Sequence, residues 1–359
     1  MNHPRIAVIG AGRLGTFHAQ KLAAFDDAEL VAVVDPVPAA RDRLAAACRT
    51  EALADHRALF GRIDAAVVAA PTSLHHRIAL DLIRAGAHVL VEKPLASTLA
   101  EAEELVDAAR RAGVVLQVGH VERFNPAWTA VAAYVERPKY VEALRCGPFT
   151  FRSTDVGVVL DLMIHDIDLV LSADRSAVRR VEALGWSLFG GHEDVANARV
   201  TFASGCVAAL SASRVARQPA RRMQVWSPSG YAAVDFADRS AALVRPSPEV
   251  RRRQWRAYGA ADEQIDACRR DLYDNHLPQE TLSFAAVDAL RLELRDFLDS
   301  MREGRAPRVP GEAGRDAVAL AEQILVALGE HAWEGTPDGP VGPLAIAHVE
   351  EAASLRRAA

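Results

Sequence analysis

The first 120 residues alternate short apolar runs with stretches of helical periodicity, and this alternation restricts the fold more than any other feature. The apolar runs lie at residues 6–9, 30–34, 65–69, 88–91 and 114–118. Between them lie helical patterns, two of which close at Ala85-Gly86 and Ala112-Gly113. Thr98 followed by Glu101 is a capping-box start for the last of these helices. Strands that stay apolar through both side-chain faces are buried on both sides, and helical crossovers make such strands parallel. The expected fold class is α/β, with an N-terminal doubly wound parallel sheet of the Rossmann kind.

The loop after the first run reads Gly10-x-Gly12-x-x-Gly15. Alone it is a weak signal, but here it follows a strand and opens a helix. Backbone N–H groups and the helix N-terminus can then face a pyrophosphate, and Gly10, Gly12, Arg13, Leu14 and Gly15 are the candidate cofactor-binding residues. Asp35, at the end of the second run, suits hydrogen bonds from adenosine ribose hydroxyls and repels a 2′-phosphate, which favours NAD over NADP. Arg41 and Arg43 are the residues that could reverse that preference. The five runs end at Gly10, Asp35, Pro71-Thr72, Glu92-Lys93 and Gly119-His120, and the carboxyl ends of strands are where such sheets hold ligands.

At 359 residues two domains are expected. After Gly119 the pattern changes to hairpins. Residues 197–202 and 206–211 flank Ala203-Ser204-Gly205, and residues 223–226 and 231–236 flank Pro228-Ser229-Gly230. We read an NAD-binding domain over 1–120, an α+β domain with an open, mostly antiparallel sheet over 121–334, and a linker with a short terminal helix over 335–359. One strong helix is expected over 158–171, a charged excursion over 251–282, and further helices over 289–301 and 313–328. The net charge of −5 gives no support for nucleic acid as a partner. No apolar stretch reaches the roughly 20 residues of a membrane span, and the start of the chain runs directly into a strand without a signal-like segment. Cys48, Cys146, Cys206 and Cys268 are widely spaced, which suits reduced thiols in a cytoplasmic protein.

Two elements carry candidate chemistry. Lys93 ends the run His88-Val89-Leu90-Val91-Glu92-Lys93-Pro94. Beside a positive nicotinamide, a lysine can orient a substrate hydroxyl or share its proton; the alternative is a charged residue at a strand end. In the 158–171 helix, Asp161, His165 and Asp168 form one polar stripe, and Leu160, Met163, Ile164, Ile167 and Val170 occupy the other faces. His165 with Asp161 beside it reads as a general base. The alternatives are a satisfied core histidine or a metal pair, and no third ligand accompanies them. His120, Arg123 and Asn125 are candidate substrate or nicotinamide contacts, Arg123 equally suiting a salt bridge. His75, near the third strand end, is a candidate cofactor contact, with a capping or surface role as the alternative.

With these residues in view, the chain resembles the Gfo/Idh/MocA family over roughly residues 5–330. The marks are the glycine loop, Ala70-Pro71-Thr72-Ser73-Leu74-His75, Glu92-Lys93-Pro94 and Asp161-x-x-x-His165. The resemblance implies a Rossmann domain followed by a domain whose open sheet serves in oligomerisation, as a homodimer or homotetramer. It implies Lys93, Asp161 and His165 as the catalytic set, with Glu92 contacting the cofactor near the nicotinamide ribose. Thr72 stands where the family often has Asn. Residues 120–126 and 159–168 are similar to the UDP-N-acetylglucosamine 3-dehydrogenase branch, which implies oxidation of a sugar 3-hydroxyl on a nucleotide sugar of the lipid A pathway. The rival readings are an inositol or free-sugar dehydrogenase and, in another class, a non-catalytic dinucleotide-sensing regulator, which should have lost Lys93 or His165.

Overall fold

The computed structural model describes residues 3–151, 154–254, 262–333 and 341–345. They fall into two compact units. One comprises Met1–Phe124, Phe151–Asp168 and Asp288–Val326; the other comprises Asn125–Thr150, Leu169–Val287 and Ala327–Ala359. The expected linker, apart from its last residues, and most of the expected terminal helix lie outside the described residues.

The first unit opens with β1 (Arg5–Ile9), α1 (Arg13–Leu22), β2 (Glu29–Val34), α2 (Pro38–Cys48) and β3 (Glu51–Leu53). It continues with β4 (Ala65–Val68), α3 (Thr72–Arg84), β5 (His88–Glu92), α4 (Leu99–Ala112) and β6 (Leu116–Gly119). The strands lie in the order β3-β2-β1-β4-β5-β6, and every pairing is parallel. This is the expected doubly wound sheet, with its reversal of strand order between β1 and β4. β3 was not legible: it is three residues long, with Glu51 and Ala52 exposed, so no apolar run marks it. The Thr98–Glu101 capping box forms, with Thr98 Oγ1 accepting from Glu101 N at 3.3 Å and Glu101 Oε2 accepting from Thr98 N at 3.3 Å.

The chain goes on through α5 (Pro126–Tyr134), β7 (Tyr140–Cys146), a π-helical turn Val159–Met163 and α6 (Ile164–Ala173). Then come β8 (Val178–Trp186), β9 (Val195–Phe202), β10 (Val207–Ser213), β11 (Ala220–Ser227), β12 (Gly230–Asp235) and β13 (Ser240–Val244). The short α7 (Pro248–Arg251), α8 (Asp262–Asp271), β14 (Gln279–Ser283), α9 (Ala289–Glu303) and α10 (Gly311–Gly329) follow. The second sheet has the order β14-β13-β12-β11-β7-β10-β9-β8. Both expected hairpins, β9–β10 and β11–β12, are antiparallel pairs, and only the β7–β10 pairing among its named neighbours is parallel. The expected excursion over 251–282 returns to the sheet as the edge strand β14. That strand is polar and largely exposed, so the apolar alternation that announces other strands is missing.

In the first unit, alternate residues of each central strand feed opposite faces. Ala7, Ile9, Val34, Val68, Val89, Val91 and Val118 build one core with residues of α3 and α4. Ile6, Val8, Val33, Val67 and Leu90 build the other with Leu22 of α1. Both faces are completed by the late helices. Leu294, Phe297 and Leu298 of α9 enter the second core, and Val318 of α10 enters the first. α10 comes close because it presents glycine to β6: a Cβ on Gly314 would lie 2.5 Å from Val118 Cγ2, and one on Gly311 2.6 Å from Leu116 Cδ2.

Candidate active site

Because all six strands of the first sheet are parallel, their carboxyl ends lie along one edge. β1 ends in the glycine loop. Gly10 has φ +106°, and a Cβ there would meet Ala69 O at 2.3 Å, so neither the conformation nor the space admits a side chain. A Cβ on Gly15 would lie 1.8 Å from Gly10 O, so this glycine lets α1 start against its own loop. Gly12 caps α1 without any side-chain hydrogen bond and has open space where its Cβ would be. The helix carries no acidic residue in its first turn. Open space, a helix N-terminus without a side-chain cap and a first turn free of acidic residues fit a pyrophosphate. Arg13 and Leu14 form the first turn, both exposed.

Asp35 follows β2 and holds the loop in shape. Its Oδ2 accepts from Ala11 N and its Oδ1 from Val37 N, both at 2.8 Å. Arg41 donates to the Asp35 carbonyl at 3.3 Å and to Asp42 Oδ1 at 2.9 Å, and Arg43 is exposed. After β4, Pro71 precedes the first residue of α3, Thr72, which is buried. His75, one turn on, is fully enclosed, with Nδ1 2.8 Å from Pro94 O and Nε2 2.8 Å from Ala70 O. Burial, the dominant influence, pushes its pKa below the ordinary histidine value. The ring lies between the loops after β4 and β5 with a backbone carbonyl against each nitrogen, and a neutral imidazole donates to one of the two.

β5 delivers Glu92 and Lys93. The Lys93 ammonium donates to Asp161 Oδ1 at 3.1 Å and to the Asp161 carbonyl at 2.6 Å. Asp161 lies in the π-helical turn, where the helix widens by one residue per turn. The expected regular helix over 158–171 is therefore interrupted, and the carboxylate paired by spacing with His165 is engaged by Lys93. The apolar faces are as expected, with Met163, Ile164, Ile167 and Val170 buried. Asp168 also leaves the stripe. It receives Arg123 through two bonds, Nε to Oδ2 at 2.6 Å and Nη2 to Oδ1 at 3.0 Å, and is buried. Arg123 is thus committed to a carboxylate of its own chain.

His120, directly after β6, is buried, and neither ring nitrogen has a hydrogen-bond partner among the described residues. Burial holds its pKa below the ordinary value. Its ring lies edge-to-face with that of His165, centroids 6.5 Å apart at 85°. Lys93, Asp161, His120 and His165 are therefore brought together in the first unit. Asn125 caps a helix and also reaches a distant strand end. Its Oδ1 accepts from Ala127 N at 3.1 Å as the cap of α5, and its Nδ2 donates to Phe236 O at 3.4 Å.

The sequence reading missed two buried residues beside this site, His18 of α1 and Glu293 of α9. A signal existed. His18 shares the buried stripe of Gly15, Ala19 and Leu22, and Glu293 that of Leu294, Phe297 and Leu298. A polar residue on an apolar helix stripe is informative because burial without a partner is costly.

Residues 4–120 match the family described as an oxidoreductase family with an NAD-binding Rossmann fold, and residues 130–232 match the Gfo/Idh/MocA C-terminal domain. The chain is 37% identical over 336 residues to a UDP-N-acetylglucosamine 3-dehydrogenase of Acidithiobacillus ferrooxidans, covering 91% of this chain and 98% of that protein. It is 29% identical over 348 residues to a myo-inositol 2-dehydrogenase of Thermotoga maritima, covering 91% and 96%. A solved structure of the Acidithiobacillus ferrooxidans UDP-N-acetylglucosamine 3-dehydrogenase superposes with a TM-score of 0.78 at 36% identity, covering 91% and 98%. Among the described residues no helix is long and apolar enough to cross a membrane. The glycine loop, the parallel sheet and these matches together establish that the chain belongs to the Gfo/Idh/MocA family, whose NAD-binding oxidoreductases include dehydrogenases of CH–OH groups.

Proposed function

We propose that this dehydrogenase oxidises the 3-hydroxyl of a UDP-N-acetyl sugar to a ketone. Identity of 37% to a UDP-N-acetylglucosamine 3-dehydrogenase, against 29% to a myo-inositol 2-dehydrogenase at equal coverage of this chain, favours a nucleotide sugar over an inositol. The 3-keto product would suit an aminotransferase that makes a 3-amino sugar for lipid A. Within the same proposal, residues 1–120 hold NAD, residues 121–334 serve the substrate and self-association as a homodimer or homotetramer, and the enzyme works in the cytoplasm.

The observation that carries the chemistry is the Lys93–Asp161 pair at the carboxyl edge of the sheet, beside His120 and His165. NAD supplies the hydride acceptor. Lys93 donates a hydrogen bond to the substrate hydroxyl oxygen, and Asp161 keeps the ammonium aimed at it. His165 takes the hydroxyl proton, while His120, with both nitrogens unengaged, offers a further contact to the sugar or nicotinamide. Gly10, Gly12, Arg13, Leu14, Gly15 and Asp35 bind the dinucleotide, with Pro71 and Thr72 closing the site. Glu92 and His75 act from beneath rather than as direct contacts, Arg123 is held by Asp168, and Asn125 caps a helix.

The test is incubation of the purified enzyme with NAD and a panel of UDP-sugars, inositols and free sugars, followed by mass spectrometry. A 3-keto UDP-N-acetyl sugar is the expected product. Turnover of inositol alone would replace the substrate assignment, and turnover of nothing in the panel would favour a sensing role.

A further inference from the structure

Beneath Lys93 lies a group of side chains that the proposed chemistry does not use. Glu92, whose backbone precedes the lysine, turns its carboxylate into the protein. Its Oε1 is 2.6 Å from His18 Nε2, and its Oε2 accepts from the backbone N–H of Lys93 at 3.3 Å. Gly119 on β6 makes this possible, since a Cβ there would lie 2.9 Å from Glu92 Oε2. One carboxylate thus joins α1, whose N-terminus is the glycine loop, to the residue that bears the ammonium group. Glu293 of α9 is fully buried on the same spot, and its nearest carboxylate oxygen lies within 4.8 Å of the ligand atoms of His18 and Glu92. Neither oxygen of Glu293 has a hydrogen-bond partner among the described residues, and His18 Nδ1 and Gln117 Oε1 also lack one. Gln117 of β6 is held by Nε2 donating to the Glu293 carbonyl at 3.0 Å.

We propose that His18, Glu92 and Glu293 form a buried positioning triad that fixes Lys93 relative to the dinucleotide helix, with a proton held on Glu293. The inference rests on the reading of Lys93 as a site residue. Two ionised carboxylates in one dry cluster repel each other and lack solvation, so one of them keeps its proton. The surroundings decide which. For Glu92, burial works against the charge, but the His18 hydrogen bond and the nearby His18, Lys93 and His75 outweigh it, and its pKa falls below the ordinary value. For Glu293, burial, Glu92 and then Asp296 on its own helix all act the same way, and its pKa rises well above it. The ionised Glu92 is the member that touches Lys93. A protonated Glu293 adds no second negative charge to compete for the ammonium group that Asp161 holds.

Two variant sets and a spectrum test this. His18→Leu removes the donor to Glu92, whereas His18→Gln keeps an N–H near the Nε2 position. His18→Leu is expected to lower kcat by about 10- to 100-fold, as small misplacements at a reacting group do, with KM for NAD little changed. His18→Gln should recover most of that loss. Equal kcat in wild type and both variants, with only melting temperature affected, would overturn the positioning role. Infrared difference spectra of the full chain, wild type minus Glu293→Gln at neutral pH, should contain the C=O stretch of a non-ionised carboxylic acid. Ionised carboxylate bands alone would overturn the proton assignment. If Glu293→Gln does not fold, carboxyl-13C NMR of glutamate-labelled wild type reads the same proton. A stoichiometric divalent metal in purified wild-type enzyme would also overturn it, because the three ligand atoms would then hold a cation. The infrared signal does not depend on Lys93. Full activity in Lys93→Ala would sink the reading of the lysine and leave the proton assignment standing.

Discussion

Single residues here are tuned by what encloses them. Lys93 is mostly buried and paired to Asp161, so it is held as a positioned cation rather than a surface charge. Lys93→Ala is expected to cut kcat by about 100-fold or more, with NAD binding retained in a fluorescence titration; near-normal kcat would reduce it to a strand-end charge. Asp35 already holds the glycine loop through Ala11 N and its own turn through Val37 N, and a 2′-phosphate would face that carboxylate. We expect kcat/KM with NAD to exceed that with NADP by at least ~10-fold. Arg41 is bound to Asp42 and the Asp35 carbonyl rather than open to an anion, which supports that expectation. Glu293 predicts a pH effect with a definite sign. Its folded pKa is raised above the ordinary 4.5, so between those values the folded chain binds more protons than the unfolded one. The stability it contributes is complete below 4.5 and is lost as pH climbs through the folded value, by up to ~1.4 kcal/mol per pH unit. Glutamine has no such proton to lose. Denaturant melts across pH should therefore shift in favour of Glu293→Gln as pH rises, and parallel curves would mean that Glu293 is ionised.

At the scale of elements, local signals were reliable where local physics decides. The Thr98–Glu101 box, the left-handed Gly113 that ends α4, and both glycine-punctuated hairpins all form as read. They say less where the neighbours decide. Asp161, His165 and Asp168 have perfect helical spacing, yet a π-helical turn carries Asp161 to Lys93, and Arg123 claims Asp168. Spacing reports only which residues could share a face. Likewise Asn125, read as a ligand contact because it lies in a polar segment after the last strand of the first sheet, caps α5 and donates to Phe236 O. α9 illustrates the reverse case, a helix correctly placed by its periodicity whose destination was not legible. Phe297, fully buried in the sheet core with Ile6, Val8 and Leu90, should cost about 3–5 kcal/mol when replaced by alanine. Urea denaturation measures this, and a loss below ~1 kcal/mol would mean that α9 contributes little to that core.

The whole chain is not assembled in sequence order. The unit that begins at residue 1 is completed by Asp288–Val326, which supplies a helix to each face of its sheet. Asp27 reinforces the closure, taking bonds of 2.6 and 3.1 Å from Arg295 and one of 2.6 Å from Arg302. A fragment ending at residue 287 would leave both cores uncovered on one side. We expect it to lack a cooperative thermal transition and to bind NAD at least ~10-fold more weakly, since a sheet must bury both faces. A sharp melt and wild-type affinity in that fragment would show that the first sheet folds without α9 and α10.

The doubly wound sheet, the glycine loop with Asp35, and the family marks around Lys93 and His165 could all be read from residue order. Each follows from period, turn chemistry or residue type within one short segment. The pairings between distant segments emerge only on folding: Lys93 with Asp161, Arg123 with Asp168, and His18 with Glu92 beside Glu293. His18 and Glu293 lie on helices at opposite ends of the first unit's sequence. Nothing in local hydrophobic period or propensity states which buried polar group will meet which, because that choice is made only when the elements pack and each desolvated charge must find its partner.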